Sequence, residues 1–207
     1  MRKFFVAVLL IAAWFGSAVA LADQSPQAAR ELVIQTSERM LAALKANHAQ
    51  IQAHPDRIYP LVHQIVLPHF DFQTMSQWVL GSYWRTAKPA QRTRFVKAFR
   101  DLLVRTYASS LAQYTDQRVV YLPLHAGPKA SDVTVRTEIE QRGGPPIPVD
   151  YRMHVKDGAW KVYDVTIDNV SLVTNYRSTF AAEIRQHGLD ALIKRLSAQN
   201  PQARSSG

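Results

Sequence analysis

Two hydrophobic periods divide the chain. Between Ser25 and position 114, apolar residues recur at intervals of three and four, the repeat of helices that bury one face. Ser25-Pro26 is a cap followed by proline in the first turn, and Leu32, Val33, Met40, Leu41 and Leu44 continue it as one stripe ending near Asn47. Asp56 is expected to cap a second helix carrying Ile58, Leu61, Val62, Ile65 and Val66, closed by Pro68. Asp71 is expected to cap a third, with Phe72, Met75, Trp78 and Val79 facing inward and Gly81 as the stop. The longest helix, 89–114, has a broad apolar face of Phe95, Val96, Phe99, Leu102, Leu103, Tyr107, Leu111 and Tyr114.

After Asp116 the period becomes two. Strands are expected over 119–124, with apolar residues in both phases, and around Val133, Val135 and Ile139. A third carries Ile147, Val149, Tyr151, Met153 and Val155 and leads into Asp157-Gly158, a strong two-residue hairpin signal. The fourth, 160–167, changes apolar phase between Val162 and Val165, which predicts a bulge or coverage of both faces. Asp168 or Asn169 is expected to cap a last helix from about Val170, interrupted at Gly188 and continuing through Leu189, Leu192, Ile193 and Leu196. The implied fold is α+β, with helices packed on one side of a curved four-stranded antiparallel meander.

The N-terminus sets the compartment. Arg2 and Lys3 precede an apolar run over 4–15, and small residues follow at Ala18, Ala20 and Ala22, the pattern of a cleaved export signal. The expected organisation is a signal peptide over 1–22, cut near Ala22, one domain over 23–199 and a disordered tail over 200–207. No later apolar run is long enough to span a bilayer. The absence of cysteine excludes disulfides and thiol catalysis. Together these features point to a periplasm. The formal charge is +9, or +7 once Arg2 and Lys3 are removed. In an exported protein this favours anionic membranes or acidic proteins as partners over nucleic acid, or simply a solvated basic face.

Motifs for catalysis are missing: no Gly-x-Ser-x-Gly elbow, no His-Glu-x-x-His and no glycine-rich phosphate loop. His63 and His69 do not share a helix face, so no metal site is expected. Asp164 and Asp168 could place two carboxylates on one side of a strand, with Asp164 as a base on a small apolar substrate. The simpler reading is that Asp164 faces solvent or pairs with a neighbouring arginine, and that Asp168 or Asn169 caps the last helix. The large inward residues of helices and sheet allow either a packed core or a ligand cavity, and periodicity alone does not choose.

Three segments resemble a known family: DFQTMSQWVLGSYWRTAKPAQRTRFVKAFRDLLVRTYASSL over 71–111, GAWKVYDVTIDNVSLVTNYRSTFAAEI over 158–184 and GLDALIKRL over 188–196. They are similar to the MlaC, or Ttg2D toluene-tolerance, family, and the likeness runs from about 26 to 197. The resemblance implies an NTF2-like, cystatin-related fold enclosing an apolar cavity, and a periplasmic phospholipid carrier rather than an enzyme. It implies exchange between an outer-membrane lipoprotein–porin complex and the MCE-domain subunit of an inner-membrane ABC transporter, helping to maintain outer-membrane lipid asymmetry. A monomer is expected, with phospholipid as cargo and no cofactor.

On that reading the lining is expected to come from Phe72, Trp78, Phe95, Phe99, Leu102, Leu103 and Tyr107 on the helices. Tyr151, Met153, Trp160, Val165, Ile167, Val173 and Tyr176 complete it from the sheet and the junction that follows. Arg85, Lys88, Arg92 and Arg177 are the candidate rim, meeting phosphate or an acidic partner.

Overall fold

The structure, a computed structural model, describes residues 23–112, 118–141 and 143–198. The expected signal peptide and the expected tail lie outside the described residues. None of the described helices is long and apolar enough to cross a membrane.

The first helix, α1 (Pro26–Ala46), begins as its sequence demands: the Ser25 hydroxyl accepts from Ala28 N at 3.3 Å, and proline occupies the first turn. Its stop at Asn47 is brief, because the chain re-enters a short helix, α2 (His48–Ala53), anchored by buried Ile51. A 3-10 turn, Pro55–Arg57, then leads into α3 (Ile58–Ile65). Asp56 lies inside that turn and its side chain caps nothing, contrary to expectation. After a second 3-10 turn, Leu67–His69, the expected cap does form: Asp71 accepts from Thr74 N at 3.0 Å and opens α4 (Phe72–Leu80). Gly81, at φ 55°, ends α4, but an unforeseen α5 (Ser82–Thr86) follows before α6 (Pro89–Ala112).

The sheet has five antiparallel strands in sequence order: β1 (Arg118–Tyr121), β2 (Asp132–Glu140), β3 (Ile147–Lys156), β4 (Ala159–Ile167) and β5 (Val170–Ser171). Asp157 and Gly158 join β3 to β4 with φ 50° and 79°, the left-handed pair the dipeptide predicts. Asp168 and Asn169, at 48° and 63°, make the same kind of turn and thereby create β5. They therefore do not cap α7 (Leu172–His187). Ser171 does, accepting from Thr174 N at 3.1 Å. Gly188, at φ 81°, separates α7 from α8 (Leu189–Ala198).

The phase change in β4 is a bulge. Arg152 pairs with Asp164 but Met153 pairs with Val162, so Tyr163 is the extra residue. The insertion restores the phase: Trp160 and Val162 stand opposite Val155 and Met153, while Val165 and Ile167 stand opposite Tyr151 and Val149. One apolar face thus runs the length of β4.

Each margin of the sheet is capped in part. Phe70 bridges Val162 and Asp71 N donates to Val162 O at 2.8 Å, engaging β4 at a point that β5 does not reach. Beyond β1, Arg30 of α1 donates to the carbonyls of Tyr121 and Leu122 at 3.3 and 3.2 Å. The apolar interior divides in two. A large cluster joins the sheet face to α4, α6, α7, α8 and the first half of α1. A smaller one joins the second half of α1 to α2, α3 and the end of α6 through Met40, Ile51, Ile58, Val62, Val104 and Ala108.

Candidate functional site

The residues expected to line a cavity fall into three groups. Phe95, Phe99 and Leu103 of α6, with Met153, Trp160, Val165 and Val173, are buried. Phe95 and Phe99 stack at 5.7 Å and each meets the edge of Phe180 at 6.0 Å, an arrangement that fixes α6 against α7. The Trp160 indole donates to Ser25 O at 2.9 Å and so ties β4 to the start of α1. These residues belong to the large core cluster.

The second group is half-buried against the same cluster: Phe72, Leu102, Tyr107, Tyr151, Ile167 and Tyr176. Phe72 stacks on Phe70 at 5.6 Å, and Tyr176 meets Phe99 at 5.4 Å. Leu32, Tyr121, Ile139 and Ile147 share this half-buried condition and were missing from the sequence list. Ile139 and Ile147 had the right alternation. Tyr121 could not be assigned to a face, because its strand is apolar in both phases.

The tyrosines of this group define its electrostatics. Tyr107 is hydrogen-bonded to Tyr176, and burial, reinforced by that neighbour, pushes its phenol up to about 12. Burial also pushes Tyr151 up to about 12 despite a hydrogen bond with Thr137, and raises Tyr121. Tyr151 lies mid-strand in β3, flanked by β2 and β4, and still keeps accessible surface. Burial thus keeps these phenols neutral where the sheet meets the helices. A low-polarity wall with hydroxyls at its margin suits a long apolar guest bearing a few polar groups.

Because these phenols stay neutral in the fold and ionise near 10 when unfolded, their stabilising contribution is complete below about pH 10 and is lost as pH rises toward 12. Absorbance titration should therefore show tyrosinate forming late and cooperatively, together with loss of the far-ultraviolet helix signal. Independent titration near pH 10 with the helices intact would contradict it.

The third group does not join the others. Trp78 is 42% exposed and contacts Tyr163 at 5.3 Å, on the side of the sheet away from Met153 and Tyr151. The inward position expected for it is corrected: Met75, Ser76, Val79 and Leu80 form the buried face of α4, which leaves Trp78 on its flank. Arg85, Lys88 and Arg92 cluster where α5 meets α6, and Arg177 lies over Gly81. The rise of α6 sets Arg92 about 22 Å from Tyr107, whereas Arg177 directly follows Tyr176 in α7 and points over Gly81 instead.

Asp164 and Asp168 do not form a working pair. Asp164, 2% exposed, accepts from the Ser171 hydroxyl at 2.7 Å and from Val173 N at 3.1 Å, fastening β4 to the start of α7. Asp168 is an exposed turn residue. Both oxygens of the buried carboxylate are thus engaged in holding the fold, leaving it poorly placed to serve as a base.

Comparison with known proteins gives this geometry a context. The family model described as MlaC protein matches residues 34–198. The chain is 27% identical to the intermembrane phospholipid transport system binding protein MlaC of Haemophilus influenzae, over 97% of this chain and 95% of that protein. It is 28% identical to the toluene tolerance protein ttg2D of Pseudomonas putida, over 84% and 81% of the two chains. Among solved structures it is similar to the phospholipid-binding protein from Ralstonia solanacearum in complex with a phospholipid. That likeness has a TM-score of 0.77 and 32% identity, and it covers 84% of this chain and 97% of that one. With the bulged sheet, the helices laid over it and a family match spanning most of its length, the chain belongs to the MlaC family.

Proposed function

We propose that the protein is a soluble periplasmic phospholipid carrier, which sheathes acyl chains between the sheet and α6–α7 and leaves the headgroup near the surface. The observation that carries this reading is the likeness, across most of the chain, to a relative whose structure holds a phospholipid. The half-buried wall of Leu102, Tyr107, Tyr151, Ile167 and Tyr176, with Tyr121, Ile139 and Ile147, supports it. So do the bonds of Asp164, whose two carboxylate oxygens are taken up by Ser171 and Val173 N in fastening β4 to α7.

The physical need is direct. Each methylene exposed to water costs about 0.8 kcal/mol, so even roughly ten exposed methylenes cost on the order of 8 kcal/mol. A headgroup, by contrast, is already well solvated. A carrier must shield the tails and can ignore most of the rest, and it needs neither cofactor nor covalent chemistry. In this reading the protein works as a monomer. It exchanges lipid between an outer-membrane lipoprotein–porin complex and the MCE-domain subunit of an inner-membrane ABC transporter, in support of outer-membrane lipid asymmetry.

Gentle purification followed by native mass spectrometry should find diacyl phospholipid bound in stoichiometric amount. Protein that emerges folded and free of lipid from every preparation, and takes up none from vesicles, would end the carrier reading.

A further inference from the structure

Three arginines from three elements lie across one short stretch of chain, 78–84. Arg152 of β3 has its guanidinium carbon 5.2 Å from the Trp78 ring centre and 4.9 Å from that of Tyr163. Arg177 of α7 lies so close over Gly81 that a Cβ built there would fall 3.2 Å from its Nη2. Arg92 of α6 sits 5.3 Å over the Trp84 ring, and its Nη2 donates to Arg85 O at 3.2 Å. Trp78, Gly81 and Trp84 thus each hold one guanidinium. A planar cation resting on an indole loses mobility while its outer edge stays available to an acceptor.

The charge of this cluster is not neutralised within the fold. Arg94 pairs with Asp190, Lys97 and Arg100 with Asp101, and Arg195 with Glu183. Arg85, Lys88, Arg92, Arg152 and Arg177 have no ion pair among the described residues. The nearby carboxylates are engaged elsewhere: Asp132 with the Tyr163 hydroxyl at 2.7 Å, Asp164 with Ser171 and Val173 N, and Asp71 with Lys156.

We propose that the stretch Trp78–Trp84, with Arg92, Arg152 and Arg177 laid across it, is a docking seat for a carboxylate-bearing surface of a partner protein. Fixed guanidinium forks match carboxylates two bonds at a time, and tryptophan with arginine is the composition of interface hot spots. A bilayer surface is a poorer match, because indoles anchor in headgroups by inserting, and here arginines cover them. A second copy of this chain would bring like charge against like. The inference rests on the carrier reading only for there being a partner to meet, since the lining residues take no part.

The test compares wild type with the Arg92→Ala/Arg177→Ala pair and with a charge-matched control, Arg39→Ala/Lys45→Ala, on the exposed side of α1. The probes are a short poly-glutamate peptide, followed by tryptophan fluorescence, and phosphatidylglycerol vesicles, followed by sedimentation. The seat pair should lose about tenfold or more in peptide affinity and the control less than about twofold. Arg85→Glu, which reverses an exposed charge without touching a stacked ring, should weaken the peptide in the same sense. Equal losses in seat and control variants, or strong vesicle binding that the seat pair abolishes, would overturn the proposal. Lipid content is measured on the same preparations. Wild-type protein that binds the peptide but contains no phospholipid would count against the carrier reading alone.

Discussion

Filling the sheltered space from the helix side should leave a folded protein that carries almost no lipid. Leu102 and Ile167 are half-buried and face the interior from α6 and β4, so Leu102→Trp with Ile167→Trp places two indoles where acyl chains would lie. In a solid core such overpacking costs about 1–3 kcal/mol per site. At the edge of a hollow it should cost less, because the new ring displaces guest rather than protein. Phospholipid recovered per mole of protein should fall to roughly a tenth of wild type or below, with the melting temperature changed by only a few degrees. Trp78→Ala provides the contrast: its ring stands on the other face of the sheet, and lipid content should not change. Full lipid content in the double variant, or a severe loss in Trp78→Ala, would place the guest elsewhere.

The largest effect on stability is expected at Asp71. This carboxylate, 6% exposed, accepts from Thr74 N at 3.0 Å and from Lys156 Nζ at 2.8 and 2.9 Å, and lies 3.0 Å from His154 Nε2. It therefore caps α4 while binding α4 to β3. Burial alone would raise its pKa, but the hydrogen bonds from Lys156 and Thr74 outweigh that and hold the carboxyl at about 2. Alanine removes a cap together with a charge-assisted network, so Asp71→Ala should cost about 3 kcal/mol and lower the melting temperature by on the order of 10 °C. Asparagine keeps an acceptor for Thr74 N and should lose about half as much. The pH dependence identifies the cause. In wild type the Asp71 contribution is complete above its unfolded pKa of 3.8 and is lost as pH falls through about 2. Thermal melts across that window should converge for wild type and Asp71→Ala as acidity increases. Parallel melting curves would assign the loss to the cap alone.

How much of this was visible in the chain depended on the size of each signal. α1, α4, α6, β2 and β3 carry several buried residues in one phase, β4 does so on either side of its bulge, and their starts and turns are chemically explicit at Ser25, Asp71 and Asp157-Gly158. α2, with Ile51 as its single buried residue, and α5, with none, bury too little to raise a periodic signal. β5 is two residues long and exists because Asp168-Asn169 adopts a hairpin turn where its composition also suited a cap. The candidate site was less legible for a different reason. Phe99 and Tyr176 share one helical stripe language, yet the first is core and the second half-buried. Sequence period records which side of an element faces inward, not how far the opposing element stands away. Trp78 shows the related failure: Ser76 and Leu80 rotate the buried face of α4, and a polar serine at its centre hides that rotation.

The treatment of the sheet margins has a consequence for life in a crowded compartment. Unpaired strand borders are templates on which neighbouring molecules polymerise. Phe70 and the two residues of β5 each engage part of the outer border of β4, and the Arg30 guanidinium takes carbonyls at the end of β1 that a stranger would otherwise engage. A carrier that parted its layers to load lipid would be exposed to ribbon-on-ribbon growth at each opening. A phenylalanine hook and an arginine clasp on those borders would guard such a molecule against becoming a seed for fibres.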